Sequence, residues 1–133
     1  MNKNNTKIRI YYEDTDAGGI VYHANYLKYM ERARTEWVRS LGVSQQILLE
    51  QSLGFVVIDM QIQFKRSAKL DDLIDTSCNI ARVNRASLLF NQQIMKDGEV
   101  LVNAEVKVAC VNTATNKPIA IPPLLLKEMR SDH

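Results

Sequence analysis

The stretch YYEDTDAGGIVYHANYLKYMERAR, residues 11–34, joins an acidic, glycine-containing loop directly to the start of an amphipathic helix. From this start the apolar residues recur at steps of three and four, at Leu27, Met30, Ala33, Trp37, Val38 and Leu41. This spacing places them on one helical face, which we predict to be buried. Asn25 is the predicted N-cap of the helix, and Gly42 its stop.

The sequence on both sides of this helix has the two-residue period of β-strands. Before the helix, residues 8–12 alternate, with Ile8, Ile10 and Tyr12 on one face. After it, residues 55–64 have the pattern of a half-buried strand, with apolar positions at Val56, Ile58, Met60, Ile62 and Phe64. Residues 73–83 show a weaker strand pattern.

Residues 86–94 and 100–110 also alternate, and between them lie Asp97 and Gly98, a pair that favours a hairpin turn. One long helix followed by antiparallel strands predicts an α+β fold in which the sheet curls around the helix. No linker, repeat or alternating βαβ pattern is present, so we predict a single domain over residues 1–133.

Two shorter helices are predicted in addition to the long helix and the strands. Ser44 can cap one that runs through Glu50, and Pro123 can begin another near the end of the chain.

Composition narrows the classes of function. Seventeen basic and fifteen acidic side chains give a net charge of +2, too balanced for a protein that mainly binds nucleic acid. No apolar run approaches the roughly 18 residues of a membrane-spanning helix, and no signal peptide is recognisable, so we predict a cytoplasmic protein without membrane insertion.

Metal sites and disulfides are not predicted. Cys78 and Cys110 lie in strand-like patterns without a CxxC spacing, as expected of two reduced core thiols. The two histidines, His23 and His133, do not belong to a cluster of metal ligands. We therefore predict a function without metal or organic cofactor.

The loop carries the chemistry that the sequence makes most conspicuous. Glu13, Asp14 and Asp16 lie within four residues, and Gly18 and Gly19 allow the backbone to turn sharply. An ionised carboxylate can act as nucleophile or general base, and the N–H groups of a following helix start can polarise a carbonyl. The alternative is a solvated acidic turn, in which Glu13 and Asp14 only cap or brace the loop.

The residues of this loop and of the helix after it also resemble a known family. Residues 11–34 are similar to the signature of hotdog-fold acyl-CoA thioesterases of the 4-hydroxybenzoyl-CoA thioesterase superfamily, specifically the tol-pal system-associated branch. The later segments FVVIDMQIQFKRSAKLDD and NAEVKVACVN, residues 55–72 and 103–112, resemble the same branch. The resemblance implies a central helix wrapped by a five-stranded or six-stranded antiparallel sheet, assembly into homodimers or homotetramers, and hydrolysis of acyl-CoA to free acid and CoA.

The resemblance also assigns roles within the loop. Asp16 matches the catalytic aspartate, which attacks the thioester carbonyl or activates water, and His23 matches a histidine that polarises or orients the substrate. Backbone N–H groups of residues 18–23 are the implied oxyanion donors. Further substrate contacts are predicted at Tyr12, Gly19 and Tyr22.

Coenzyme A carries phosphates, so basic side chains are expected near its site. Two clusters are available, Lys65, Arg66 and Lys69 in one and Arg82 and Arg85 in the other. We rank Arg66 and Arg85 first, although a solvated surface explains these clusters equally well.

The helical run RARTEWVR, residues 32–39, is predicted to be mostly a solvated face with ion pairs such as Glu31 with Arg34 or Arg32 with Glu36. Glu31 has a catalytic alternative, because some hotdog thioesterases use a helix carboxylate.

Two other functions stay open at this stage. One is a non-catalytic module that binds acyl-CoA or an acyl carrier protein, which would not need Asp16. The other is a hotdog dehydratase built on His23 and Glu31.

Overall fold

The structure is a computed structural model that describes residues 5–43 and 45–132. The helices are α1 (Asn25–Ser40), α2 (Gln45–Glu50) and α3 (Pro123–Asp132). The strands are β1 (Thr6–Arg9), β2 (Leu53–Phe64), β3 (Leu73–Thr76), β4 (Asn79–Val83), β5 (Ser87–Lys96), β6 (Glu99–Asn112) and β7 (Lys117–Pro118). A 3-10 turn, Tyr12–Asp14, follows β1. None of the helices in the described ranges has the length and apolar character needed to span a membrane.

The strands form one antiparallel sheet in the order β1-β3-β5-β6-β2, with β4 paired to β5 and β7 paired to β6. Strands β3 and β4 lie end to end along β5 and are separated at Ser77 and Cys78, which explains the weak pattern of residues 73–83. With the two-residue β7, the described residues form seven strands, whereas the resemblance implied five or six. The α+β hotdog architecture is confirmed.

Helix α1 buries the face that its spacing predicts. Met30, Ala33, Trp37 and Val38 are buried, while Leu27 at the start of the pattern is exposed. The ring of Trp37 packs edge-on against a phenylalanine of β5 at 5.3 Å between centroids. At the other end, Gly42 adopts the left-handed conformation (φ 86°) that a helix stop favours.

The short helices and the cysteines also agree with prediction. Helix α2 ends at Glu50 and α3 begins at Pro123, whereas the predicted cap Ser44 lies outside the described residues. Cys78 and Cys110 are buried, and no disulfide joins them.

The hairpin between β5 and β6 turns at the predicted residues. Lys96 pairs with Glu99, and Asp97 and Gly98 both have positive φ, as a type I′ turn requires. The predicted alternation of the first strand stops earlier than expected, because Tyr12 begins the 3-10 turn and is 82% exposed. The predicted alternation therefore holds for the buried Ile8 and Ile10 and does not extend to Tyr12.

Strand β2 lies at an edge of the sheet and pairs only with β6 among the described strands, with a bulge between Val57 and Asp59. The strand was predicted to be half-buried, with its apolar face covered, yet Val56, Ile58 and Phe64 are each about half exposed. The bulge shifts the alternation, so that Phe55, outside the predicted apolar face, packs against the core. No described strand pairs with the outer edge of β2, and an apolar strip remains exposed along that edge.

Candidate active site

The loop before α1 is held together at Asp14. The Asp14 carboxylate accepts the N–H of Tyr11 at 2.8 Å, and its backbone carbonyl accepts the N–H of Tyr22 at 3.0 Å and the side-chain amide of Asn25 at 2.9 Å. The predicted bracing role of Asp14 is confirmed. Glu13 makes no hydrogen bond within the described residues.

Asn25 therefore does not cap α1, as the sequence had predicted. It is the first residue of the helix, Ala24 occupies the N-cap position, and the Asn25 amide binds the loop instead. Nearby, the side chain of Tyr29 is buried, and this burial, with the neighbouring Asp14 carboxylate, raises the pKa of its hydroxyl. The helix start and the loop thus form one packed unit.

Asp16 is held by one carboxylate oxygen and exposes the other. Its Oδ1 accepts the N–H of Gly18 at 2.8 Å, and its carbonyl accepts the N–H of Gly19 at 3.0 Å, which closes a tight turn. Within residues 5–43 and 45–132, Oδ2 has no hydrogen-bond donor. Gly19 has φ 82°, a conformation that favours glycine.

Asp16 and His23 line the same pocket, which has a volume of about 190 Å³. The segment after β2 forms the opposite wall and is tied to the loop, because Val21 donates its N–H to the carbonyl of Ala68 at 2.9 Å. The other lining residues are Ile20, Val21, Tyr26, Phe64, Lys65, Arg66 and Ser67.

Two of these lining residues, Tyr26 and Phe64, were not among the site residues that the sequence predicted. Tyr26 is buried and its hydroxyl accepts the N–H of Ala68 at 3.0 Å, whereas Phe64 is half exposed. The ring of His23 lies between Phe64, at 6.1 Å edge-on, and Tyr22, at 4.8 Å. Tyr22 supports His23 but does not line the pocket.

The backbone at the start of α1 presents unbonded N–H groups beside His23. The N–H groups of Gly18, Gly19, Val21 and Tyr22 already donate within the loop or to Ala68. In the described part of the chain, those of His23 and Ala24 have no acceptor. They lie at the positive end of the helix dipole, where an anionic oxygen is stabilised.

The predicted phosphate-binding residues separate into two places. Arg66 lines the Asp16 pocket and forms an exposed ion pair with Glu99 at 3.4 Å. Arg85 precedes β5 at the end of the sheet where Ser87 pairs with Ala109, whereas the pocket lies where Val102 pairs with Phe64. Seven residues along a strand separate these ends by roughly 23 Å. Arg85 therefore does not line this pocket, and neither do Tyr12 or Gly19.

Replacing Asn25 with alanine tests the loop brace. We expect Asn25→Ala to lower the free energy of unfolding by about 1 kcal/mol, because the carbonyl of Asp14 loses a partly buried partner, and to reduce kcat severalfold. As a control, Asn84→Ala removes an exposed hydrogen bond from the Asn84 side-chain amide to the Ser87 hydroxyl and should leave kcat unchanged. Equal kcat values for both variants would contradict the coupling between brace and site.

Comparison with known proteins decides the family. A family model described as the thioesterase-like superfamily matches residues 11–129. The chain belongs to the thioesterase-like superfamily. This membership confirms the predicted family and the predicted class of enzyme, a thioester hydrolase.

Individual relatives span most of the chain. A protein of Haemophilus influenzae named acyl-CoA thioesterase YbgC is 51% identical over 116 residues, 86% of this chain and 85% of its own. The Escherichia coli protein named acyl-CoA thioester hydrolase YbgC is 43% identical over 124 residues, 92% of each chain. A crystal structure of a probable thioesterase from Bartonella henselae superposes with a TM-score of 0.84 at 37% identity, covering 89% of this chain and 98% of its own.

Proposed function

We propose that this thioesterase hydrolyses acyl-CoA to free acid and CoA, with Asp16 as nucleophile or general base. One observation carries the proposal: Asp16, whose Oδ2 has no donor among the described residues, and His23, whose N–H has no acceptor there, line one pocket. A carboxylate that acts as nucleophile or base and N–H groups that stabilise the oxyanion are together able to hydrolyse a thioester.

In the proposed mechanism the thioester carbonyl oxygen accepts the N–H groups at the start of α1. Asp16 then either attacks the carbonyl carbon, giving an anhydride that water hydrolyses, or removes a proton from the attacking water. In both routes the carbon–sulfur bond breaks and CoA leaves as the thiolate. His23 orients the thioester from the pocket wall, between the rings of Tyr22 and Phe64.

Basic side chains next to the pocket support the choice of CoA as the leaving group. Lys65 and Arg66 line the pocket, and Lys69 is exposed a few residues further on. Guanidinium and ammonium groups bind phosphate through charge-assisted hydrogen bonds. Substrate contacts at Tyr12, Gly19, Tyr22 and Arg85 stay predictions.

The edge strand β2 supports assembly into a homodimer, or a tetramer built from such dimers. Val56, Val57 and Ile58 form an exposed apolar strip on a strand whose outer edge has no described partner, a surface that soluble proteins usually cover. A two-fold axis near the middle of β2 pairs the strand with itself, antiparallel. This arrangement sets the Phe64 end of one copy beside the start of β2 in its partner.

The cytoplasmic location stays a prediction from the sequence, the tol-pal association stays a prediction from the resemblance, and an acyl carrier protein stays a predicted partner. The non-catalytic binding module remains the alternative, since it would use the same pocket without turnover.

Release of CoA from a panel of aliphatic and aromatic acyl-CoA thioesters, followed with a thiol reagent, tests the proposed function. We expect many turnovers per active site on at least one substrate, and the same rate in the presence of a chelator. Adding acyl carrier protein thioesters to the panel identifies the carrier. Tight binding without CoA release would contradict hydrolysis and favour the binding module.

A further inference from the structure

Arg34 on α1 is half-buried and turns toward the sheet. Its Nη1 donates to Oε1 of Gln92 at 2.9 Å, and the side chain of Gln92 is fully buried. The amide nitrogen of Gln92 donates to the carbonyls of Met30 at 2.9 Å and Ser77 at 3.3 Å, so Oε1 must be the acceptor. This network fixes the guanidinium in place.

The guanidinium is incompletely paired. Burial lowers the pKa of Arg34 below its ordinary value, and within residues 5–43 and 45–132 no carboxylate forms an ion pair with it. Gln92 takes one of the five N–H groups of the guanidinium. Arg34 is half-buried, so its remaining N–H groups are available to an acceptor that enters from the adjoining cavity.

Arg34 lines a cavity of about 320 Å³ between α1 and the sheet. Its walls are otherwise mostly apolar and include Val38, Phe55 and Phe90, while the exposed Glu31 lies at its rim. Cavities of this size and lining hold small organic groups.

We propose that Arg34 is a specificity-determining residue, which donates a hydrogen bond to an uncharged oxygen at the far end of the acyl group that this cavity holds. The inference rests on the proposed acyl-CoA hydrolysis. A hydroxyl can use both charged groups, because it accepts from Arg34 and can donate to Glu31, whereas a carboxylate is attracted by Arg34 but repelled by Glu31.

The position of the cavity indicates whether the acyl group it holds reaches Asp16 of the same copy or of the partner copy. The cavity borders Phe55, Val56 and Val57 of β2, roughly 23 to 30 Å along the strand from the Phe64 end, where Asp16 lies in the same chain. In the proposed dimer these two ends of β2 are neighbours. The acyl group therefore extends from Asp16 of one copy into the cavity of its partner.

Matched substrate pairs test this role. Butanoyl-, hexanoyl- and octanoyl-CoA are each compared with the ω-hydroxyl counterpart, and benzoyl-CoA with a ring-hydroxylated one. At one length or more, wild type should favour the hydroxylated member by about tenfold in kcat/KM. Arg34→Met should bring this ratio close to one, and Arg39→Met, an exposed arginine of the same helix, should leave it unchanged.

In Arg34→Met the buried Oε1 of Gln92 loses its hydrogen-bond donor. If that variant folds poorly, the double variant Arg34→Met, Gln92→Leu removes this oxygen as well and is tested in its place. If wild type hydrolyses both members of every pair at equal rates, the role of Arg34 is overturned and the proposed function stands. No hydrolysis of any member would overturn the proposed function and this role together. An unchanged ratio in a folded Arg34→Met protein would also overturn the role.

Discussion

Asp16→Asn should reduce kcat by about a hundredfold to ten-thousandfold, corresponding to about 3 to 5 kcal/mol of activation free energy. The substitution removes the negative charge that attacks the thioester or activates water. It keeps an oxygen that can accept the N–H of Gly18, so the turn around residue 16 is preserved. The melting temperature should therefore barely change.

The loss of kcat in Asp16→Asn is compared with the loss in a second variant, His23→Ala. Its effect on kcat should be smaller, because the backbone N–H groups of His23 and Ala24 remain in place. Steady-state kinetics and thermal melts of both variants are the measurements. A folded Asp16→Asn protein with near wild-type turnover would remove Asp16 from the mechanism and favour the binding module.

Ile58→Lys should dissociate the proposed dimer and abolish most of the activity. Ile58 is 55% exposed in the bulge of the edge strand and lines neither the Asp16 pocket nor the Arg34 cavity. A lysine there places a charge in an apolar interface, at a cost of roughly 2 kcal/mol or more in each copy. Activity should fall with dissociation because the acyl group loses the cavity of the partner.

Sedimentation velocity and kinetics on the same samples measure both effects. Leu124→Lys is the matched control, since Leu124 is 82% exposed on α3, away from β2, and should keep both assembly and activity. A monomeric Ile58→Lys protein with full turnover would contradict a site shared between copies.

The features that sequence predicted correctly depend on local spacing. The buried face of α1, the turn at Asp97 and Gly98 and the alternation of β6 all follow from periodicity or turn chemistry within a short segment. The exposed face of β2 could not be predicted, because its burial depends on what lies beside the strand. Asn25 was assigned to the helix cap because its competing partner, Asp14, lies 11 residues away.

In the site, too, the features set by local sequence were predicted, and those set by residues distant in the sequence were not. The loop motif brought Asp16 and His23 to one pocket, as the resemblance implied, but Arg34 was predicted to be a solvated residue paired with Glu31. In the structure it turns inward to Gln92, 58 residues later in the chain. The sequence signal was Gln92 itself, a polar residue at an inward position between Phe90 and Ile94 of β5.

Mixed dimers of two inactive variants test most directly whether Asp16 of one copy acts on an acyl group held by the other. Asp16→Asn removes the carboxylate, and Glu31→Trp fills the mouth of the Arg34 cavity from an exposed helical position. Each variant alone should be nearly inactive. A heterodimer purified through two different affinity tags should recover about half of the wild-type kcat, because one of its two sites combines an intact Asp16 with an intact cavity. A heterodimer as inactive as its parents would contradict the shared site.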